Sequence, residues 1–118
     1  MNTEILTANG VDINKGLELL GDMDMYNESL EDFLNESADR IPKIQAYAAS
    51  GDMPNYAILV HAMKSDSKYL GFDKLAEMSY QHEMESKASN QEFVNANLDD
   101  LLVEANRIIA VVSQYLGK

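Results

Sequence analysis

At 118 residues, with 46% hydrophobic content, no cysteine, no tryptophan, two prolines and six glycines, the chain has the size of one domain with its own core. Twenty acidic against nine basic residues give a formal charge of −11, a surface that repels phosphate backbones and anionic lipid and so disfavours nucleic-acid and membrane partners. Without cysteine there are no disulfides, thiolate zinc sites or cysteine nucleophiles, a composition that suits a reducing cytoplasm.

Residues 1–10 carry neither the basic start nor the apolar segment of a signal peptide, and they show no periodicity, so a loose lead-in is expected there. Val11, Ile13, Leu17 and Leu20 recur at helical spacing with Gly21 as a stop, predicting a short helix hooked across one end of a larger body. Asp24 is placed to cap the next helix. Its inward stripe reads Tyr26, Leu30, Phe33, Leu34, Ser37, Ile41, Ile44 and Ala48, and Ser50-Gly51 ends it. Pro42 removes a backbone donor, which predicts a kink or brief break near 38–42.

Asp52 and Pro54 open a central helix that runs to about Leu70 and closes on Gly71 in left-handed geometry. Leu59, Met63 and Leu70, flanked by Tyr56, Val60 and Ser67, form its core face. Asp73 begins a fourth helix with Leu75, Met78, Ser79, His82 and Ser86 inward. After the polar link Ser89–Glu92, the last helix sets Phe93, Leu98, Leu101, Ala105, Ile108, Val112 and Tyr115 on one face. Nothing alternates with period two for long enough to be a strand, and no apolar run approaches the roughly 20 residues of a membrane span. Short links make sequential helices antiparallel neighbours. The expected fold class is therefore all-α: one domain over residues 1–118, an antiparallel up-down-up-down four-helix bundle with a short extra N-terminal helix. No second long apolar stripe demands a partner copy, so a monomer is expected. The Met1 start and the end at Lys118 favour a free-standing protein over a domain of a larger kinase.

Most catalytic signatures are missing. There is no glycine-rich phosphate loop, no paired Glu-x-x-His motif of a di-iron bundle and no strained nucleophile turn. His82, Glu83 and Glu85 lie close, but one histidine without a partner is a weak metal signal, so neither metal nor bound cofactor is expected. His61 is different. At about 100° per residue, Lys64, Ser65 and Lys68 fall within about 60° of His61, opposite the core face, and Ala57 and Ile58 extend that stripe one turn back. A solvated imidazole beside a lysine suits one task. Its nitrogen can attack a phosphoryl group carried on a partner's aspartate to give a phosphohistidine, and the lysine can stabilise the metaphosphate-like transition state. Mg²⁺ would then come from the partner's own site.

His61-x-x-Lys64-Ser65-x-Ser67-x-x-Leu70-Gly71 resembles the motif of histidine-containing phosphotransfer (HPt) domains, His-x-x-Lys-Gly-Ser/Ala-x-x-x-Ile/Leu-Gly. Gly51-Asp52 before this helix, Leu75-Ala76-Glu77 and Glu83 after it, and Gly10-Val11-Asp12 with Gly21-Asp22 near the start are similar to the family as well, so the resemblance covers about residues 10–116. It implies a four-helix bundle that shuttles phosphoryl groups between receiver domains, with His61 as phosphoacceptor and Lys64 orienting or neutralising the phosphoryl group. The implied partners are response-regulator receivers and a hybrid sensor histidine kinase. Ser65 replaces the usual glycine, and Asp66 stands where a small residue is common. A bundle that docks receivers without carrying phosphate is the alternative.

Ser65, Lys68, Ala57, Ile58 and Phe72 are the expected docking surface, with Met53 and Tyr56 at its rim. Met63, Met78 and Met84 read as core filler. Asp66 lies about 140° from His61, and His82 sits mid-stripe in the next helix. Each would be costly to bury alone, so the two are expected to pair and tie the third and fourth helices together.

Overall fold

The computed structural model describes residues 1–118 and consists of helices and links, with no strand: α1 (Glu4–Thr7), α2 (Ile13–Leu20), α3 (Met23–Ser50), α4 (Met53–Leu70), α5 (Asp73–Lys87) and α6 (Gln91–Leu116). Asp12, Asp22, Asp52 and Asn90 stand at the starts of α2, α3, α4 and α6, each side chain accepting a backbone N–H three residues on. Asp24 is not the cap of α3. It occupies the first turn, and Asp22 takes the capping position because its extended backbone lets the carboxylate turn back onto Met25 N–H. Gly51, Gly71 and Gly117 close α3, α4 and α6 in left-handed geometry.

α4 lies between α3 and α5, and α6 touches both, so the four long helices form a ring around one core. Tyr26, Leu30, Phe33 and Ile44 from α3 meet Tyr56, Val60, Met63 and Leu70 from α4, Leu75 from α5, and Leu101, Ile108 and Val112 from α6. Burial of these side chains, about 1.5–3 kcal/mol each, dominates the stability of the ring. α2 caps one end. Gly16 passes so close to the Tyr26 ring that a Cβ there would sit 2.1 Å from Tyr26 Cε1. The Tyr26 hydroxyl donates to the carbonyl of Leu70 at 2.7 Å, pinning this end to the close of α4.

The chain path differs from expectation at two places. Residues 1–10 are not loose: α1 buries Leu6 completely against α6, and Arg107 Nη1 donates to the carbonyl of Asn9 at 3.0 Å. Of the kink or brief break expected at Pro42, the break is absent: α3 is continuous from Met23 to Ser50. Pro42 and Ala38 are both exposed, so the Ala38 carbonyl that loses its donor is solvated at no great cost. Met84 is also misplaced as core, being 49% exposed. No helix is long and apolar enough to cross a membrane.

Candidate functional site

The outer face of α4 presents His61, whose side chain is 54% exposed. The helix is held by its other side, where Tyr56, Val60, Met63, Ser67 and Leu70 are buried, so the imidazole is fixed in place by packing it takes no part in. Beneath it lies Glu83 of α5, only 2% exposed. Its Oε2 accepts from His61 Nδ1 and from Lys87 Nζ, and its Oε1 from Lys64 Nζ, all at 2.7 Å. One buried carboxylate therefore gathers an imidazole and two ammonium groups from two helices.

Burial opposes ionisation of Glu83, but the bonds from Lys64, Lys87 and His61 outweigh it and hold the carboxyl at about 2. An ionised carboxylate only accepts, so Nδ1 of His61 must carry its hydrogen toward Glu83. In the neutral ring the lone pair is then on Nε2, which has no hydrogen-bond partner in the fold. Lys64 is mostly covered; its ammonium also lies 5.5 Å from the centre of the Tyr80 ring. Lys87 is reached from the next turn of α5 and stays exposed.

A groove of about 500 Å³ runs along this side of His61, lined by Ala57, Ile58, Glu83, Ser86 and Lys87 among others. Ile58 stands 64% exposed at its edge. Ala57 is buried, contrary to its expected place on an open docking face, because it points into the seam with α5 and forms the groove's inner wall. Ser65 is half-buried and Lys68 exposed. Met53 and Tyr56 are buried in the core instead of rimming the site.

Phe72 does not lie on the exposed face where it was expected, being 1% exposed. Gly71 at φ +86° breaks the helical phase, and Phe72 turns inward to meet Phe33 edge-on with ring centroids 5.0 Å apart. Asp66 and His82 do not pair either. Asp66 faces α3, where Arg40 Nη1 donates to it at 2.9 Å while Nη2 holds Glu36. His82 lies on the other flank of α4, its Nδ1 hydrogen-bonded to the Tyr56 hydroxyl at 2.7 Å and its ring edge-on to Phe93. Burial pushes the His82 imidazole down, keeping it neutral.

Helical spacing on α4 alone does not reach Glu83 and Lys87, the two further residues of the site. The available signal was the inward stripe of α5. Ser79, His82, Glu83 and Ser86 are four polar residues on a buried face, and an acid among them requires cationic partners. His61 and Lys64, on the neighbouring helix, are the candidates.

A family model described as the Hpt domain matches residues 28–112. No curated protein and no solved structure matches the chain.

Proposed function

The chain belongs to the Hpt domain family, whose members carry phosphoryl groups on histidine in phosphorelays, and from that premise we propose that His61 is its phosphoacceptor. The observation that carries this reading is the half-exposed ring with Nδ1 tied to Glu83 and Nε2 free. The lone pair on Nε2 attacks the phosphorus of a receiver's aspartyl phosphate, the N–P bond forms, the P–O bond to the acyl oxygen breaks, and the aspartate leaves as carboxylate. No proton has to leave Nε2. The positive charge that grows on the ring meets the Glu83 carboxylate, and the Nδ1 hydrogen stays in that bond. Lys64 and Lys87 are positioned to turn from Glu83 toward the phosphoryl oxygens. Transfer to a second receiver is the reverse of the same step.

The partners on this reading are response-regulator receivers and a hybrid sensor histidine kinase, met by a cytoplasmic monomer. We read the four long helices, joined by links of two or three residues, as an up-down-up-down bundle. Both oxygens of Glu83 are engaged by cations, so the site does not fit a resident metal, and the Mg²⁺ of the reaction is assigned to the receiver. Asp66, turned toward Arg40, leaves the approach to His61 open.

The test is labelling from a phosphorylated receiver. Wild type should gain an acid-labile, base-stable label, whereas His61→Gln should gain none while keeping its helical circular dichroism. Label retained on the His61→Gln protein refutes the assignment, and an unlabelled wild type supports the docking-only alternative.

A further inference from the structure

Eight of the nine basic side chains are in ion pairs within the fold: Lys15, Arg40, Lys43, Lys64, Lys74, Lys87, Arg107 and Lys118. Lys68 is the exception. It is exposed on α4, two turns beyond His61 and on the same face, roughly 10 Å away along the helix axis. A chain with twenty acidic residues leaves this one cation without an acid.

The surroundings of Lys68 are concave and partly apolar. A depression of about 960 Å³ opens between α2, α4 and α5, with Lys68 and Tyr69 on one side, Tyr80 opposite and Leu19 of α2 as the end wall. Leu19, Tyr69 and Tyr80 are 59%, 53% and 45% exposed, a cluster of large apolar surface that the core does not need. The charges around it are three lysines and two carboxylates. Asp73 neutralises Lys15 at 2.8 Å and Glu83 neutralises Lys64, which leaves Lys68 and Glu77 as the charges of the lining that are in no ion pair. Lys64 and Ser65, one helical turn from His61 on α4, also line this depression.

We propose that the Lys68–Tyr69 depression, walled by Leu19 of α2, is the subsite that selects the receiver: it takes an acidic side chain flanked by apolar ones, on the receiver surface about 10 Å from the phosphoaspartate. This rests on His61 being the phosphoacceptor. The chemistry follows from the pieces present. An exposed aromatic anchor supplies contact area that docking would desolvate, and an unpaired ammonium at its edge rejects partners that bring a cation there. A second copy of this chain fits poorly, since two chains of net charge −11 would have to approach against their mutual repulsion.

The experiment compares wild type, Lys68→Glu, Tyr69→Ala and Lys43→Glu as acceptors from purified receiver domains charged with acetyl phosphate. Lys43→Glu makes the same change in net charge on exposed α3. With the fastest wild-type donor, Lys68→Glu should lower kcat/KM about tenfold at low salt, and the difference should shrink toward unity at about 0.5 M salt. Tyr69→Ala should lower it at both salts, and Lys43→Glu should stay near wild type. Equal rates for Lys68→Glu and wild type overturn the proposal, as does a loss that Lys43→Glu reproduces. A wild-type dimer dispersed by Lys68→Glu also overturns it, giving the surface to a second copy. Phosphoramidate labelling of the wild type, which needs no docking, separates these outcomes: its failure counts against His61 itself.

Discussion

Replacing Glu83 by glutamine isolates the charge under the histidine from the hydrogen bond that orients it. The glutamine carbonyl can still accept from His61 Nδ1, so the ring keeps its tautomer and direction. What is lost is the negative charge that faces the ring as phosphorus bonds to Nε2. With Nδ1 2.7 Å from Oε2, the charge centres are about 4 Å apart, worth about 4 kcal/mol at an effective dielectric of 20. The ring is 54% exposed, so solvent screening cuts this to roughly half. Only part of the positive charge has developed in a loose transition state, leaving about 1.4 kcal/mol, or about tenfold in rate. Glu83→Ala removes orientation as well and should cost about a hundredfold. Both rates can be read as initial incorporation of acid-labile phosphate from phosphoramidate, which excludes docking effects. Glu83→Gln labelled at the wild-type rate would refute the claim that this carboxylate acts on the reaction.

The same carboxylate predicts an acid-dependent stability. Its folded value, about 2, lies below the ordinary 4.5, so the stabilisation is present above pH 4.5 and is lost as the pH falls toward 2. At about 1.4 kcal/mol per pH unit the gap amounts to roughly 3 kcal/mol; urea unfolding between pH 7 and 2.5 should show wild type losing about 2 kcal/mol more than Glu83→Gln. At the other end of α4, Gly71→Ala should destabilise by more than about 2 kcal/mol. Its Cβ would meet the Asp12 carbonyl oxygen at 2.1 Å, at a φ of +86°. Thermal unfolding and hydrogen exchange at the Asp12 amide, bonded to the Gly71 carbonyl, check this.

The faces of α4 were readable because a helix repeats, and a repeat states which residues share a side. His61, Lys64 and Lys68 on one side and Val60, Met63 and Leu70 on the other follow from spacing alone. Periodicity failed where the phase is interrupted or too short to exist. Continuing the wheel past Gly71 puts Phe72 on the outer face, but the left-handed residue there resets the direction. α1 spans four residues, about one helical turn, too short to reveal a repeat, and its one buried side chain is Leu6. A wheel also measures angle without naming the neighbour. Asp66 and His82 were each rightly expected to need a partner, but α3, not α5, flanks the Asp66 edge, so Arg40 took the place assigned to His82.

The same limit explains why half of the candidate site was legible and half was not. The ring and Lys64 are one turn apart on one helix, a relation that sequence specifies directly. Glu83 reaches both only because α4 and α5 pack closely, in the most extensive helix contact of the fold. The buried residues of these helices include Ala57 and Ser67 on α4 and Ala76, Ser79 and Ser86 on α5. Side chains this small let two backbones approach, and that approach sets a carboxylate from α5 directly under an imidazole from α4. A larger residue at Ala57 would hold the helices apart while leaving the His61–Lys64 motif intact. The motif on α4 is thus an incomplete description of the site. What turns an exposed histidine into a nucleophile with a defined free nitrogen is the spacing between two helices, and that spacing is written in the small residues of the seam.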